Sequence, residues 1–345
     1  MPETVRVGII GGGWPGAAHA RGYLSSGGFK LAAVADLIPE RRKKLMAEFQ
    51  ILREYPDAME LIKDKEIDAV SICLPNELHL PMTLAALKQG KHVMCEKPPG
   101  LDAGEARRMN AAALKAGKVL MFALQRRFGG HEQAAKLAIA KGWIGEAYHI
   151  RCVWTRTRGF PLGTGNWYTQ KGKSGGGALL DTGLHMLDIA WYLLGQPRPL
   201  SAFGVTHSRF GSLLPPDAAA DVEDAAFALL RFENGRSIEL ATSWAINQPA
   251  SQNGTACRIH GSAGAIEVYT PQGAILLRDF KPDGSAKENP LKPPKATHHA
   301  AMMRHFKECI AGRATPIAGG PEGVALMQMA AAIYKSAETG RSANV

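Results

Sequence analysis

Val5-Arg6-Val7-Gly8-Ile9-Ile10-Gly11-Gly12-Gly13-Trp14-Pro15-Gly16 decides the fold of this chain. Residues 5–10 form an apolar run of strand length, and residues 17–24 continue in a helical pattern. The turn between them fits G-x-G-x-x-G, in the strand-to-helix context where that motif means dinucleotide binding. Gly11 permits the tight turn, Gly13 lets the backbone approach a pyrophosphate, and Gly16 lets the helix pack on the strand. The helix N-terminus then faces the phosphate charge. Pro15 removes one backbone N–H from this cradle, but its ring suits the first turn of a helix. Trp14 either covers the cofactor or packs.

Working outward, a second strand at 30–35 ends at Asp36, about twenty residues beyond Gly16. A carboxylate there accepts bonds from the ribose hydroxyls of NAD and repels a 2′-phosphate. The alternative is that Asp36 caps the helix at 39–49. Arg41 and Arg42 follow closely enough to leave NADP open, so NAD is the preferred cofactor and NADP the other choice. Strands at 68–74, 92–95 and 119–123 alternate with helices at 79–89 and 102–116. That alternation predicts a doubly wound parallel sheet, a Rossmann domain over residues 1–124.

The pattern changes after residue 124. A helix at 131–141 precedes a strand at 148–158, a polar loop at 159–177 and a helix at 178–194. Strands at 201–208, 222–233, 236–245, 255–260 and 264–269 are separated by turn signals such as Glu233-Asn234-Gly235. Residues 281–296 read as an exposed loop, and helices at 298–311 and 321–339 close the chain. Residues 125–345 therefore read as a second α/β domain with a large, mostly antiparallel open sheet.

Composition narrows the function classes. Forty-one basic against 31 acidic residues leave a net charge of +10, but the charges are scattered and give no nucleic-acid footprint. The densest cluster, Arg41-Arg42-Lys43-Lys44, reads as a solvated helix face. Five cysteines with no C-x-x-C pair argue against a disulfide framework or a zinc site, so no metal is expected. No apolar run is long enough to span a membrane, and no signal peptide precedes the first strand. A cytoplasmic protein acting on a small molecule is the expectation.

Candidate reacting groups sit at strand ends and on one helix. Leu74-Pro75-Asn76-Glu77-Leu78-His79 follows a strand end, where open α/β sheets bind ligands. Pro75, Asn76 and His79 are candidate cofactor contacts, with a structural cap as the alternative for Asn76 and His79. Glu96 and Lys97 end another strand of the same sheet and are candidate cofactor contacts as well. A lysine there can stabilise an alkoxide developing on a substrate oxygen. Asp181 and His185 are spaced i,i+4 and share a helix face. His185 suits proton abstraction near neutrality. The plainer reading of Asp181 and His185 is a helix-stabilising pair.

Several segments together resemble the Gfo/Idh/MocA oxidoreductases, named for glucose-fructose oxidoreductase and inositol dehydrogenase. They are GGGWPG at 11–16, CLPNELH at 73–79, GKHVMCEKP at 90–98, QRRF at 125–128, GGGALLDTGLHMLD at 175–188 and AAIYKSAETGR at 331–341. The resemblance implies an NAD(P)-dependent dehydrogenase oxidising a secondary hydroxyl of a sugar, cyclitol or sugar derivative. It implies Lys97 for substrate and cofactor contact, Asp181 for hydroxyl binding and His185 as general base. It also implies a homodimer or homotetramer formed through the C-terminal sheet. Arg126, Trp154, Arg156, Trp167 and Tyr168 are candidate substrate contacts: the aromatic faces for sugar C–H groups, Arg156 for an anionic group. Two other readings are NAD-retaining, redox-assisted glycoside cleavage and a non-catalytic dinucleotide or sugar sensor. The intact Lys97, Asp181 and His185 argue against the sensor.

Overall fold

A computed structural model describes residues 4–161, 164–215, 218, 220–270, 273–294 and 298–345. The chain divides into two units, residues 1–128 with 296–327, and residues 129–295 with 328–345.

The first unit is a six-stranded parallel sheet in the order β3-β2-β1-β4-β5-β6. Its strands are β1 (Val5–Ile10), β2 (Phe29–Ala35), β3 (Arg53–Tyr55), β4 (Ala69–Ile72), β5 (His92–Cys95) and β6 (Leu120–Phe122). Helices α1 (Trp14–Ser26), α2 (Pro39–Phe49), α3 (Ala58–Lys63), α4 (His79–Lys88) and α5 (Ala103–Ala116) connect them. β4 is buried along its whole length, as a strand covered on both faces should be. β3 and α3 are too short to show a period, so the sequence pattern passed over them. α3 is nonetheless capped, since the Asp57 carboxylate accepts the Met59 N–H at 2.8 Å.

A single cut after residue 124 does not describe the chain. Helix α9 (His298–Ile310) returns to the first unit, and Met302, Met303, Phe306, Cys309 and Ile310 form its buried stripe. It lies against α1 at Gly22, where an added Cβ would stand 2.9 Å from His299 Cβ. Beyond it, Phe122 N–H donates to Ala318 O at 2.8 Å, and Arg127 donates to the Ile317 carbonyl. An amphipathic helix must bury its apolar stripe, and α1 supplies the surface.

The second unit holds a nine-stranded sheet in the order β14-β13-β12-β11-β7-β10-β9-β8-β15. The strands are β7 (Ala147–Thr155), β8 (Pro199–His207), β9 (Ala225–Phe232), β10 (Ser237–Ser243), β11 (Gly254–Gly261), β12 (Gly264–Thr270), β13 (Gly273–Arg278), β14 (Lys287–Pro290) and β15 (Ala343–Asn344). β7 and β10 pair in parallel, and the other pairs are antiparallel. Helices α6 (Gly130–Ala140), α7 (Lys171–Ser174) and α8 (Leu184–Leu193) belong here, and α10 (Gly320–Thr339) starts in the first unit and ends in this one. Ile150, Cys152, Ile238, Leu240, Cys257 and Ile259 fill the covered face, while Arg151, Glu239 and Arg258 alternate onto the other.

Two loop expectations change. Within 281–296, residues 287–290 form the edge strand β14, paired with β13; positions 295 and 296 lie outside the described residues. A strand ending in Pro290 is tolerated at an edge, where a missing N–H breaks no inner ladder. Within 159–177, residues 164–169 form a 3₁₀ turn and 171–174 a short helix, with 162 and 163 outside the described residues.

Two histidines of the first unit give the fold an acid limit. Burial pushes both His92 and His299 down to about 4. His92 Nδ1 accepts the Val119 N–H at 3.1 Å, which only the unprotonated nitrogen can do. The unfolded chain takes these protons near 6.5, above the folded value, so acid favours unfolding across the window from about 6.5 to 4. His92→Asn keeps an acceptor and removes the titration. Its thermal midpoint should fall less than that of the parent between pH 7 and 4, whereas parallel curves would show that His92 is not a titrating element.

Candidate active site

The turn after β1 is built from close backbone approaches. Gly11 has φ +102, and a Cβ there would stand 2.2 Å from Cys73 O, in the segment after β4. A Cβ on Gly16 would stand 2.0 Å from Gly11 O. Gly13 differs, since its added Cβ would meet only Pro15 Cδ at 3.6 Å. Gly11 and Gly16 therefore close the turn, while Gly13 leaves room above it for a ligand. No side chain caps α1, and Pro15 lies in its first turn. Trp14 is 71% exposed and does not pack in the core.

Asp36 closes β2 with its carboxylate turned back to the glycine turn. It accepts Gly12 N–H at 2.7 Å and Ile38 N–H at 2.8 Å, and Arg41 Nη1 lies 3.9 Å away. This is an Asx-type turn rather than a helix cap. Arg42 departs from the solvated-face expectation. It is buried, donating from Nη1 to Asp36 O and from Nε to Glu54 Oε2 at 2.7 and 2.6 Å.

β1 and β4 are neighbours at the point where strand order reverses, the usual ligand crevice of such sheets. After β4, Pro75 leads into a 3₁₀ turn opened by the buried Asn76. His79 is fully buried, and its two ring nitrogens stand 2.9 Å from Pro98 O and Leu74 O. It thus bridges the segments after β4 and β5, and burial lowers its pKa despite the two carbonyls. After β5, Glu96 Oε1 lies 3.1 Å from His19 Nε2, and Glu96 Oε2 accepts the Lys97 N–H at 3.1 Å. Burial alone would raise the Glu96 pKa, but the His19 hydrogen bond and the charges of Lys97 and His299 carry it below the ordinary value. The donor atoms of His19, Glu96 and His299 lie within 4.8 Å of one another. Arg126 is half-buried in the turn Gln125–Phe128, whereas its neighbour Arg127 is fully buried.

In the second unit, Asp181 and His185 follow one another along a helix that changes pitch. Leu179–Gly183 is a π turn, continued by α8. Such turns recur at functional sites because they re-aim side chains. The segment is anchored by the buried Glu223, whose carboxylate accepts Gly177 N–H at 3.0 Å, Leu179 N–H at 2.9 Å and Tyr334 O–H at 2.9 Å. Asp181 Oδ2 accepts the Trp244 indole N–H at 2.9 Å. His185 is 8% exposed, and its ring lies 5.8 Å from the Trp154 ring. The Arg156 guanidinium stands 5.2 Å from the centre of that same Trp154 ring. Arg158 lies beyond the end of β7 at Thr155; it bonds Asn247 Oδ1 at 2.8 Å and lies over Phe210. Trp167 and Tyr168 stack on each other at 3.8 Å, and Tyr168 packs against the cluster containing Trp244.

Lys97 and Arg126 thus belong to the first unit, and Trp154, Arg156, Trp167, Tyr168, Asp181 and His185 to the second. Trp244, Glu223 and His19 escaped the sequence reading. For Trp244 one signal existed: a tryptophan at a strand end needs an acceptor for its N–H.

Residues 5–124 match the family model described as an oxidoreductase family with an NAD-binding Rossmann fold, and residues 133–267 match the GFO/IDH/MocA C-terminal domain. The chain belongs to the Gfo/Idh/MocA oxidoreductase family. D-glucoside 3-dehydrogenase of Escherichia coli is 33% identical to this oxidoreductase, covering 98% of this chain and 97% of its own. 1,5-anhydro-D-fructose reductase of Ensifer adhaerens is 28% identical over 99% of this chain and 98% of its own. Among solved structures, aldose-aldose oxidoreductase from Caulobacter crescentus, complexed with glycerol, aligns with TM-score 0.85 and 26% identity, covering 99% of this chain and 100% of its own. Levoglucosan dehydrogenase, in complex with NADH and levoglucosan, shares the fold with TM-score 0.87 at 24% identity, over 99% of both chains. The first unit of this oxidoreductase is an NAD-binding Rossmann fold, and the turn at Gly13 with the Asp36 carboxylate fits that cofactor. No helix among the described residues is long and apolar enough to cross a membrane.

Trp244→Phe keeps a buried ring and removes the donor to Asp181. It should lower stability by about 0.5–1.5 kcal/mol, the usual net contribution of one hydrogen bond, since Asp181 is only partly buried. The urea midpoint reads this directly, and an unchanged midpoint with unchanged turnover would show that the indole does not hold the carboxylate.

Proposed function

We propose that this oxidoreductase oxidises a secondary ring hydroxyl of a sugar or glycoside to a ketone, with NAD preferred over NADP. One observation carries the reading. In the second unit an imidazole, His185, packs on an aromatic plane, Trp154, while the nearby helical turn presents a carboxylate, Asp181, held by an indole. A base, a hydroxyl acceptor and an apolar plane are what a polyhydroxylated ring requires for orientation and deprotonation. The relative named D-glucoside 3-dehydrogenase supports a glycoside as the substrate class.

The roles follow from side-chain chemistry. His185 accepts the hydroxyl proton, and Asp181 accepts a hydrogen bond from a ring hydroxyl. Lys97 places a cation against the charge that develops on the oxygen as its proton leaves. Trp154 meets the C–H face of the ring, and Arg156 above it limits the space. Held at the Gly13 turn and Asp36, NAD would supply the hydride acceptor for the carbinol carbon. Asp36 favours NAD because its carboxylate would face a 2′-phosphate.

A homo-oligomer formed through the open sheet is part of the proposal. Phe203 on β8 and Leu229 on β9 are paired in register and are 49% and 47% exposed, with Val205 beside them at 39%. Such a patch on an uncovered sheet suits a second copy of the chain. Light scattering should show a defined oligomer that Phe203→Asp converts to smaller species; a monomeric parent chain would overturn this part.

Reduced-nicotinamide absorbance, read with a panel of D-glucosides, free sugars and cyclitols with NAD and with NADP, tests the reaction. We expect a rise with one sugar or glycoside class, larger with NAD. His185→Ala should lower kcat roughly 10²- to 10⁴-fold, the range for a lost general base, with the calorimetric Kd for NAD nearly unchanged. No rise with any compound, aglycone release without net cofactor reduction, or full turnover by His185→Ala would each overturn the reading.

A further inference from the structure

The first unit contains a buried polar chain that no step above uses. The Tyr23 hydroxyl lies 2.8 Å from Ser71 Oγ, and Ser71 Oγ lies 3.0 Å from His19 Nδ1. His19 Nε2 lies 3.1 Å from Glu96 Oε1, and Glu96 Oε2 accepts the Lys97 N–H at 3.1 Å. Tyr23, His19 and Ser71 are fully buried, and only the Glu96 side chain, at 15%, reaches the surface. The order of donors follows from the acceptors. An ionised Glu96 can only accept, so His19 Nε2 carries a proton toward it. In the neutral form of His19, Nδ1 then accepts from Ser71, and Ser71 accepts from Tyr23. Each group has one partner on each side, which defines a single orientation for the carboxylate.

We propose that His19 is a positioning residue for the reaction: it holds the Glu96 carboxylate in the orientation that fixes the Lys97 backbone at the end of β5. The inference rests on the dehydrogenase reading, in which Lys97 meets the reacting oxygen. An active site loses rate steeply when a group is misplaced by even about 1 Å, so a brace behind Lys97 acts on turnover more than on cofactor binding. The groups that face Glu96 are His19 from α1, His299 from α9, Lys97 beside it, Cys73 after β4, Cys95 of β5 and His79 of α4. Among these, the His19 ring lies within hydrogen-bond distance of the carboxylate.

Two variants separate positioning from simple packing. His19→Gln can still reach Glu96 with an amide N–H, whereas His19→Asn is too short and retains only the Ser71 side. We expect His19→Asn to lower kcat roughly tenfold or more and to leave the Kd for NAD within about twofold, with His19→Gln recovering most of the loss. The Glu96 pKa should rise in His19→Asn, so its kcat profile should gain an acid limb at higher pH than the parent. A readout without cofactor accompanies this. In the NAD-free chain, a double-mutant cycle of His19→Asn with Glu96→Gln in urea unfolding should show coupling between the two sites. An active parent with full turnover in His19→Asn, or loss without recovery in His19→Gln, would overturn the positioning role alone. Strict additivity in the unfolding cycle would also overturn it. An inactive parent would overturn the dehydrogenase reading, and the inference with it.

Discussion

The buried carboxylate of Glu223 is the constraint on which the helix carrying Asp181 and His185 depends. A charge taken out of water is costly unless its lone pairs are satisfied, and here two backbone N–H groups and the Tyr334 hydroxyl do so. Burial still raises its pKa above the ordinary carboxylate value. The same segment acts through its backbone. Ala178 N–H donates to Glu223 O at 3.0 Å, and Trp244 N–H donates to Asp224 O at 2.8 Å. Residues 223 and 224 therefore set both the start of the helix carrying Asp181 and the position of the indole that holds Asp181. Gly177 is the one residue type that fits there, because a Cβ would stand 1.9 Å from Glu223 O.

The first unit follows the same scheme with different groups. His79 joins the segments after β4 and β5 through two carbonyls, and Glu96 joins α1 to the start of the Lys97 segment. In both units a buried polar group fixes the backbone beside a candidate site residue: Glu223 ahead of Asp181, and Glu96 at Lys97. Satisfied buried networks of this kind impose one geometry, since any alternative leaves a group without its hydrogen bond. Open sheet ends supply the space, and the braces behind them supply the order.

Much of this was legible in local pattern. β1 and β5 have the bounds expected, 5–10 and 92–95, because strands buried on both faces read as continuous apolar runs. Helices closed by glycine, such as α5 with Gly117 at φ +60, were also found within a residue or so. The elements passed over were β3, β13, β14, β15, α3 and α7. Most are short or lie at an edge, so no period of their own marks them. The return of α9 to the first unit was hidden for another reason: an amphipathic stripe announces that it will be buried, but not against which partner.

For the site, the sequence by itself determined which groups could do chemistry: the glycine turn, Asp36, Lys97, Asp181 and His185. Those choices follow from short-range backbone rules and motif spacing and, for Lys97, Asp181 and His185, from the family resemblance. Only the tertiary structure decided what holds them. Trp244 meets Asp181 across 63 positions of chain, Glu223 meets Gly177 across 46, and His19 meets Glu96 across 77. A hydrogen bond over such a separation exists only after the sheets have formed, because directional contacts of about 3 Å depend on strand register and not on local sequence.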